Sequence, residues 1–188
     1  MAERMDAHFE DLLTELAASF VHVEAEALDG RITDALRRIV LFLGIDRSTL
    51  GRFDDEHGQL MTTHSWAVPG VDPLPSAMWA SDFPYLSGRI HAGEPAVLSH
   101  IEDLPADATT DLVSLREAGL RSVAAFPLTD KGHTIGWLSF GNIRTRRDWP
   151  DGLVRRLRLI AGGFASALLR RQQDTELHRG DDAQDKGN

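Results

Sequence analysis

Cysteine is absent from the 188-residue chain. That one absence removes disulfides, thiolate metal ligands, iron–sulfur clusters and cysteine nucleophiles together. It also removes attachment of a chromophore through sulfur. Long hydrophobic runs are missing as well. The stretch 39–43 is typical, and nothing approaches the roughly 18 apolar residues of a membrane span. The opening MAERMDAHFEDLL mixes acids and bases without an apolar signal core, so secretion is not indicated and a cytoplasmic location is expected. A concentrated positive field is lacking too. The net charge is −9, whereas binding a polyanion needs clustered basic surface, so neither a nucleic-acid nor a membrane partner is expected. The eight histidines (His8, His22, His57, His64, His91, His100, His133 and His178) are scattered, with no HxxxH or HExxH spacing, and give no metal motif. No Ser-His-Asp order, phosphate-cradling glycine loop or GxGxxG after a strand is found. Glu94, Asp103 and Asp107 are loop acids without an evident partner, and no enzyme activity is expected.

What is present suits one folded domain. Apolar residues make up 42% and charged residues 26%, enough for a substantial core and too apolar for a disordered chain. Phe9, Leu12, Leu13, Leu16 and Phe20 form a single stripe at helical spacing. A second helix over about 30–43 carries Ile32, Leu36, Ile39, Val40 and Leu43, and Gly44 follows it as a left-handed stop. The period then shortens. Residues 46–53 and 60–66 read as a hairpin across DDEHGQ, with Leu60, Thr62, His64 and Trp66 on one face. Three prolines and a glycine in 67–81 predict a loop that is neither helix nor strand. A short helix is predicted from Asp82 or Phe83 to Ala92, with Ser81 or Asp82 as N-cap, then a strand at 95–99 and a helix near 107–118. Strands at 121–128 and 134–143 follow, joined by TDKGH. In the second of these Ile135, Trp137 and Ser139 share one face, and Leu138 and Phe140 the other. Both faces are apolar, so this pair is expected at the centre of a sheet covered on both sides.

The closing helix opens near Trp149-Pro150, with Leu153, Leu157, Ile160, Phe164 and Leu168 as its stripe. Gly162-Gly163 within it predicts close approach of another backbone, because helical glycine otherwise costs about 1 kcal/mol. The arginines from Arg144 to Arg179 read as a solvated helix face. After Arg171 the apolar period is lost, and fraying is expected from about Gly180. The chain divides into a domain over 1–175 and a polar, disordered tail over 176–188. The order α-α-β-β-loop-α-β-α-β-β-α implies an α+β fold with a largely antiparallel sheet.

Four segments carry a family resemblance: FLGIDRSTLGRF (42–53), THSWAVPGV (63–71), GLRSVAAFPLTDKGHTIGWLSFGN (119–142) and RDWPDGLVRRLRLIAGGFASALLRR (147–171). In this order they resemble the GAF domain family, and in particular the sensor modules of bacterial histidine kinases and transcription activators. The resemblance spans about residues 6–173. It implies a GAF/PAS-like central antiparallel six-stranded sheet. The N- and C-terminal helices would lie on one face, often as a dimer bundle, and a lid of loops and short helices from 67–118 would roof a ligand pocket on the other. It implies a signal-transduction role in two-component systems or transcription regulation, with a homodimer through the first and last helices and an output kinase or activator domain as partners. No such output segment is present, so the chain is either a stand-alone sensor or the N-terminal fragment of a longer regulator.

The candidate ligand-binding residues are His64 and Trp66 on the second strand, Trp79, Phe83 and Tyr85 from the lid, and Trp137 and Ser139 on the central hairpin. An aromatic-lined, mainly apolar cavity with a few polar groups is what a small-molecule site needs, with the Tyr85 hydroxyl and His64 imidazole to orient the ligand. The same aromatics can equally fill the core beneath a long loop, which would leave a dimerisation module without a ligand. A haem-based gas or redox sensor needs only one axial histidine, for which His64 and His91 are the candidates. A covalent bilin is excluded by the missing cysteine. Phe53-Asp54-Asp55-Glu56 resembles the end of the motif in cyclic-nucleotide-binding GAF domains, but the Asn-Lys portion is absent and the acids read as turn residues.

Overall fold

A computed structural model describes the backbone of residues 2–20 and 23–185, with side chains within 8–173. Helix α1 (Ala2–Phe20) and helix α2 (Ala25–Leu43) precede a hairpin of β1 (Arg47–Asp54) and β2 (Gln59–Ala67). The lid follows as β3 (Ala77–Trp79), a 3-10 turn (Ala80–Asp82), α3 (Pro84–His91), β4 (Ala96–Leu98), a second 3-10 turn (Ile101–Asp103) and α4 (Thr109–Glu117). The hairpin β5 (Ser122–Asp130) and β6 (His133–Asn142) and the long helix α5 (Asp151–Asp185) complete the chain. All strand pairs are antiparallel, in the order β3-β2-β1-β6-β5-β4. This is the expected α+β architecture with six strands.

One side of the sheet is covered by α1, α2 and α5. The helical stripes legible in the sequence meet here: Phe9, Leu12, Leu16 and Phe20 from α1, Ile32, Leu36 and Ile39 from α2, and Leu157, Ile160 and Phe164 from α5 pack onto Leu50, Phe126, Leu128, Leu138 and Phe140. Phe20 and Phe164 meet at 5.1 Å between ring centroids, and Phe9 and Phe42 at 5.3 Å. Gly44 ends α2 at φ 62°, a region costly for any side chain with a Cβ. Asp46 then joins the sheet's middle, its carboxylate accepting the backbone N–H groups of Ile143 (2.7 Å) and Arg144 (2.8 Å) just past β6.

Several expectations need correction. Residues 67–81 are not wholly loop, because Ala77, Met78 and Trp79 pair with Met61, Leu60 and Gln59 as the sixth strand. A three-residue edge strand is too short to show periodicity. Neither Ser81 nor Asp82 caps α3; the N-cap position is Phe83, without a side-chain bond. The arginine run is not simply a wet helix face. Arg144 and Arg147 precede α5 and donate to the carbonyls of Pro69 and Leu43, Arg170 donates to the carbonyl of Phe20, and Arg171 and Arg156 pair with Asp29 and Glu10. Helix α5 continues past Gly180 to Asp185, with no proline to stop it; residues 186–188 lie outside the described residues.

Gly162 and Gly163 admit no close backbone neighbour, since a Cβ on either would meet nothing within 4 Å. Gly162→Ala is therefore expected to raise stability by about 0.5–1 kcal/mol through lower unfolded-chain entropy and better helix propensity. Urea melts of the two proteins measure it. A loss instead of a gain would mean that something packs on this face in solution.

Candidate ligand-binding site

The face of the sheet opposite the long helices is roofed by α3, α4 and β3. Alternation along the strands decides which side chains reach it. On β1, Arg47, Thr49, Gly51 and Phe53 point there; on β5, Val123 and Ala125; on β6, Trp137 and Ser139. Two bulges interrupt the pattern. In β2, Leu50 pairs with His64 and Gly51 with Thr62, which leaves Thr63 as an extra residue whose hydroxyl donates to the Leu50 carbonyl at 3.1 Å. In β6, Leu128 pairs with Gly136 and Thr129 with Thr134, so Ile135 is extra and packs toward the helical core rather than alongside Trp137. A bulge flips every later side chain of its strand relative to simple alternation.

That flip splits the predicted site. Leu60, before the bulge, faces the lid, whereas His64 and Trp66, after it, face the long helices. Trp66 packs against the core beneath α2, and His64 Nε2 lies 3.0 Å from Asp29 on α2. Partial burial of Asp29 pushes its carboxyl pKa up, but hydrogen bonds from Arg171 and His64 outweigh this and hold it below the usual range. Neither residue reaches the lid side. Phe83, Trp137 and Ser139 are brought together on one pocket wall, while Trp79 is 54% exposed on the edge strand and Phe83 joins it in an outer cleft. Tyr85 packs with the cluster around Leu98, Leu104 and Leu115, with the Arg89 guanidinium 5.9 Å from its ring centre, and lines neither cavity.

Two adjoining spaces result. The inner pocket, about 90 Å³, is walled by Phe53 and Leu60 from the first hairpin, Val123, Ala125, Trp137 and Ser139 from the second, and Met78, Phe83, Leu86, Ile90 and Leu115 from the lid. Ser87 and Ser139 supply its only hydroxyl side chains, and no charged residue lines it. The outer cleft, about 930 Å³, shares Leu74, Met78, Phe83 and Ala118 with the inner pocket and adds Arg47, Asp72, Asp82, Thr109, Thr110 and Glu117. Spacing arguments missed Arg47. It is 6% exposed, donates through Nη1 to the Asp72 carbonyl at 2.8 Å, and so ties β1 to the proline-rich segment. Burial lowers its pKa, against the raising influence of Asp46 and Asp72. The signal was an arginine at a position of β1 whose in-phase neighbours, Thr49, Gly51 and Phe53, are all uncharged.

Asp111 was also missed. Wholly buried on α4, it accepts the backbone N–H groups of Tyr85 (3.0 Å) and Leu86 (2.9 Å), supplying the cap that Phe83 lacks. It fixes α3 to α4 and thereby shapes the lid. No histidine lines either cavity, and His91 instead lies tilted against Phe53, with ring centroids 3.8 Å apart, and pairs with Asp55 at 3.0 Å. A haem in these cavities would find no axial histidine on their walls. Among the described residues no cluster of three or more His, Asp or Glu is placed to hold a metal, and no helix is long and apolar enough to cross a membrane.

The comparisons agree with this architecture. The phycocyanobilin-bound GAF domain of a cyanobacterial phytochrome superposes with a TM-score of 0.74 at 16% identity, covering 88% of this chain and 96% of that one. The GAF domain of a phosphoenolpyruvate-protein phosphotransferase from Coxiella burnetii gives a TM-score of 0.69 at 12% identity, covering 89% and 96%. Its counterpart from Acinetobacter gives 0.68 at 10% identity, covering 90% and 98%. At these identities the likeness is one of fold. No curated protein matches the chain by sequence. The model of the GAF domain, however, matches residues 27–168, which takes in every strand and both cavities: the chain belongs to the GAF domain family, a family of regulatory sensory domains.

Proposed function

We propose that this domain binds a small molecule between sheet and lid, and that occupancy biases the lid and, through α1 and α5, a dimer partner or an output kinase or activator domain. The role is regulatory, in the cytoplasm, and not catalytic. The supporting observation is the apolar inner pocket, walled by both hairpins and by α3, α4 and β3, and sharing Leu74, Met78 and Phe83 with the outer cleft. A ligand transmits a signal only if it binds one lid arrangement more tightly than another. α1 and α5 lie side by side at the groove of Leu13, Ala17, Ile160 and Gly163, next to Leu159, which is 69% exposed. That groove supports the homodimer reading. The phytochrome relative holds phycocyanobilin; here the missing cysteine and the small inner pocket favour a different and smaller ligand.

Ala125→Leu tests the reading. The three added carbons project into the inner pocket, and overpacking of a filled site costs about 1–3 kcal/mol. Thermal-shift screening with a metabolite panel is expected to find a stabilising compound for the parent and to show at least about tenfold weaker binding in the variant. A variant with native circular dichroism and unchanged response would place the ligand elsewhere. Native mass spectrometry of protein purified from its host reports bound molecule and oligomeric state together.

A further inference from the structure

Arg47 is a buried cation with no anion against it. It is 6% exposed, yet among the described residues it forms no ion pair. Its one side-chain hydrogen bond runs from Nη1 to the neutral carbonyl of Asp72. The neighbouring acid, Asp46, turns its carboxylate to the backbone N–H groups of Ile143 and Arg144 instead. Buried charges are normally paired, because removing one from water is costly. The imbalance shows in the guanidinium itself: burial lowers its pKa, and the opposing influence of Asp46 and Asp72 does not restore it.

The unused donors form one edge of the guanidinium. Nε–H and one N–H of Nη2 run parallel, at the spacing of the two oxygens of a carboxylate. Neither Nε nor Nη2 has a hydrogen-bond partner among the described residues, and neither is sealed from solvent. Of the two spaces on this face, Arg47 lines the outer cleft, and so does Asp72, whose carbonyl holds Nη1. The guanidinium is thus fixed at the cleft wall by one nitrogen, with the Nε–Nη2 edge left for a second acceptor.

The remaining walls narrow the choice of that acceptor. Asp72, Asp82 and Glu117 line the same cleft, so a multiply charged anion would meet three acids and a single cation. One negative charge suits the fork and limits the repulsion. Leu74, Met78 and Phe83, shared with the inner pocket, offer apolar surface beside it. We propose that the outer cleft binds a small aliphatic monocarboxylate. Its two oxygens accept from Nε–H and Nη2–H of Arg47, and its hydrocarbon body lies on Leu74, Met78 and Phe83. The inference rests on the ligand-binding reading above and adds the ligand's chemical class and the residue that recognises it.

The experiment compares pentanoate with its neutral isostere pentanamide and with butyl phosphate, which is doubly charged at mildly alkaline pH. Each is titrated at constant ionic strength into isotope-labelled protein, following the methyl signals of Met78 and Val113 and the Nε–H signal of Arg47. Pentanoate is expected to move all three signals, the Nε–H downfield, and to bind at least about tenfold more tightly than the amide. Butyl phosphate is expected to bind no more tightly than pentanoate. Arg47→Lys keeps the charge but not the fork, and is expected to reduce the preference for carboxylate over amide at least about fivefold. If Arg47 acts only by tying β1 to the proline-rich segment, the variant weakens both compounds alike and the preference is unchanged, which overturns its recognition role. Equal binding of pentanoate and pentanamide overturns the carboxylate assignment while leaving the cleft a ligand site. Tighter binding of butyl phosphate overturns it in favour of a phosphorylated ligand. No response to any of the three also overturns it, and the ligand-site reading is then decided separately by the Ala125→Leu screen. Should Arg47→Lys fail to fold, the carboxylate-to-amide preference of the parent protein decides by itself.

Discussion

Gly136→Ala is expected to lower stability by about 3 kcal/mol, near the top of the range for overpacking. Gly136 sits in β6 beside the bulge at Ile135, where a Cβ would overlap the backbone carbonyl oxygen of Gly51 and press on Leu128 Cδ1 at 3.4 Å. A carbonyl in a strand cannot rotate away. The clash is relieved only by parting β1 from β6, the central pair of the six-stranded sheet. Gly51→Ala provides the contrast. Its Cβ would overlap the Trp137 ring, a side chain that can swing into the inner pocket, so the expected cost is smaller and falls on the pocket rather than the sheet. Urea denaturation followed by circular dichroism measures both. Equal losses would show that backbone against side chain is not what distinguishes them.

Asp111→Ala is expected to cost about 2–3 kcal/mol, because two N–H groups lose a charged acceptor inside the protein. The first turn of α3 has no other side-chain cap, and the carboxylate also meets the positive end of that helix. Hydrogen exchange gives the sharper reading. The amides of Tyr85 and Leu86 should exchange faster in the variant, while the β1–β6 amides change only with global stability. Asp111→Asn should fall between parent and Ala, since its amide nitrogen faces a second donor where an oxygen stood. Unaltered protection at Tyr85 and Leu86 would mean that Asp111 does not pin the lid, and the link between α3 and α4 would have to be sought in their apolar contacts.

These residues mark the limit of what linear pattern reveals. The stripes Phe9–Leu12–Leu16–Phe20 and Leu157–Ile160–Phe164 were readable because burial against one sheet face imposes a helical period on the chain itself. The β5–β6 hairpin was readable for the matching reason: two covered faces leave apolar residues on both. Which face a strand residue meets was readable only where no extra residue falls between the residues compared. Trp137 and Ser139 follow strict alternation after the bulge in β6, and Phe83 begins the lid helix, so all three reach the pocket wall. His64 and Trp66 fail on the single extra residue at Thr63, which no local composition announces. β3 escaped because three residues contain no period. Nothing in the sequence singles out Asp111, since its partners lie 25 and 26 residues away.

The sequence by itself determined the absence of thiol chemistry, the order of helices and strands apart from β3, which helical faces are apolar, and the family to which the chain belongs. The first three follow from composition or from periodicity within one segment, and the family from four segments resembling its motifs in the right order. Tertiary structure alone decided which face of the sheet each strand residue meets after a bulge, and that Arg47 and Asp111 tie the lid down. Those outcomes depend on register and on contacts between distant segments, and a one-residue slip in register reverses a side chain without altering any local preference.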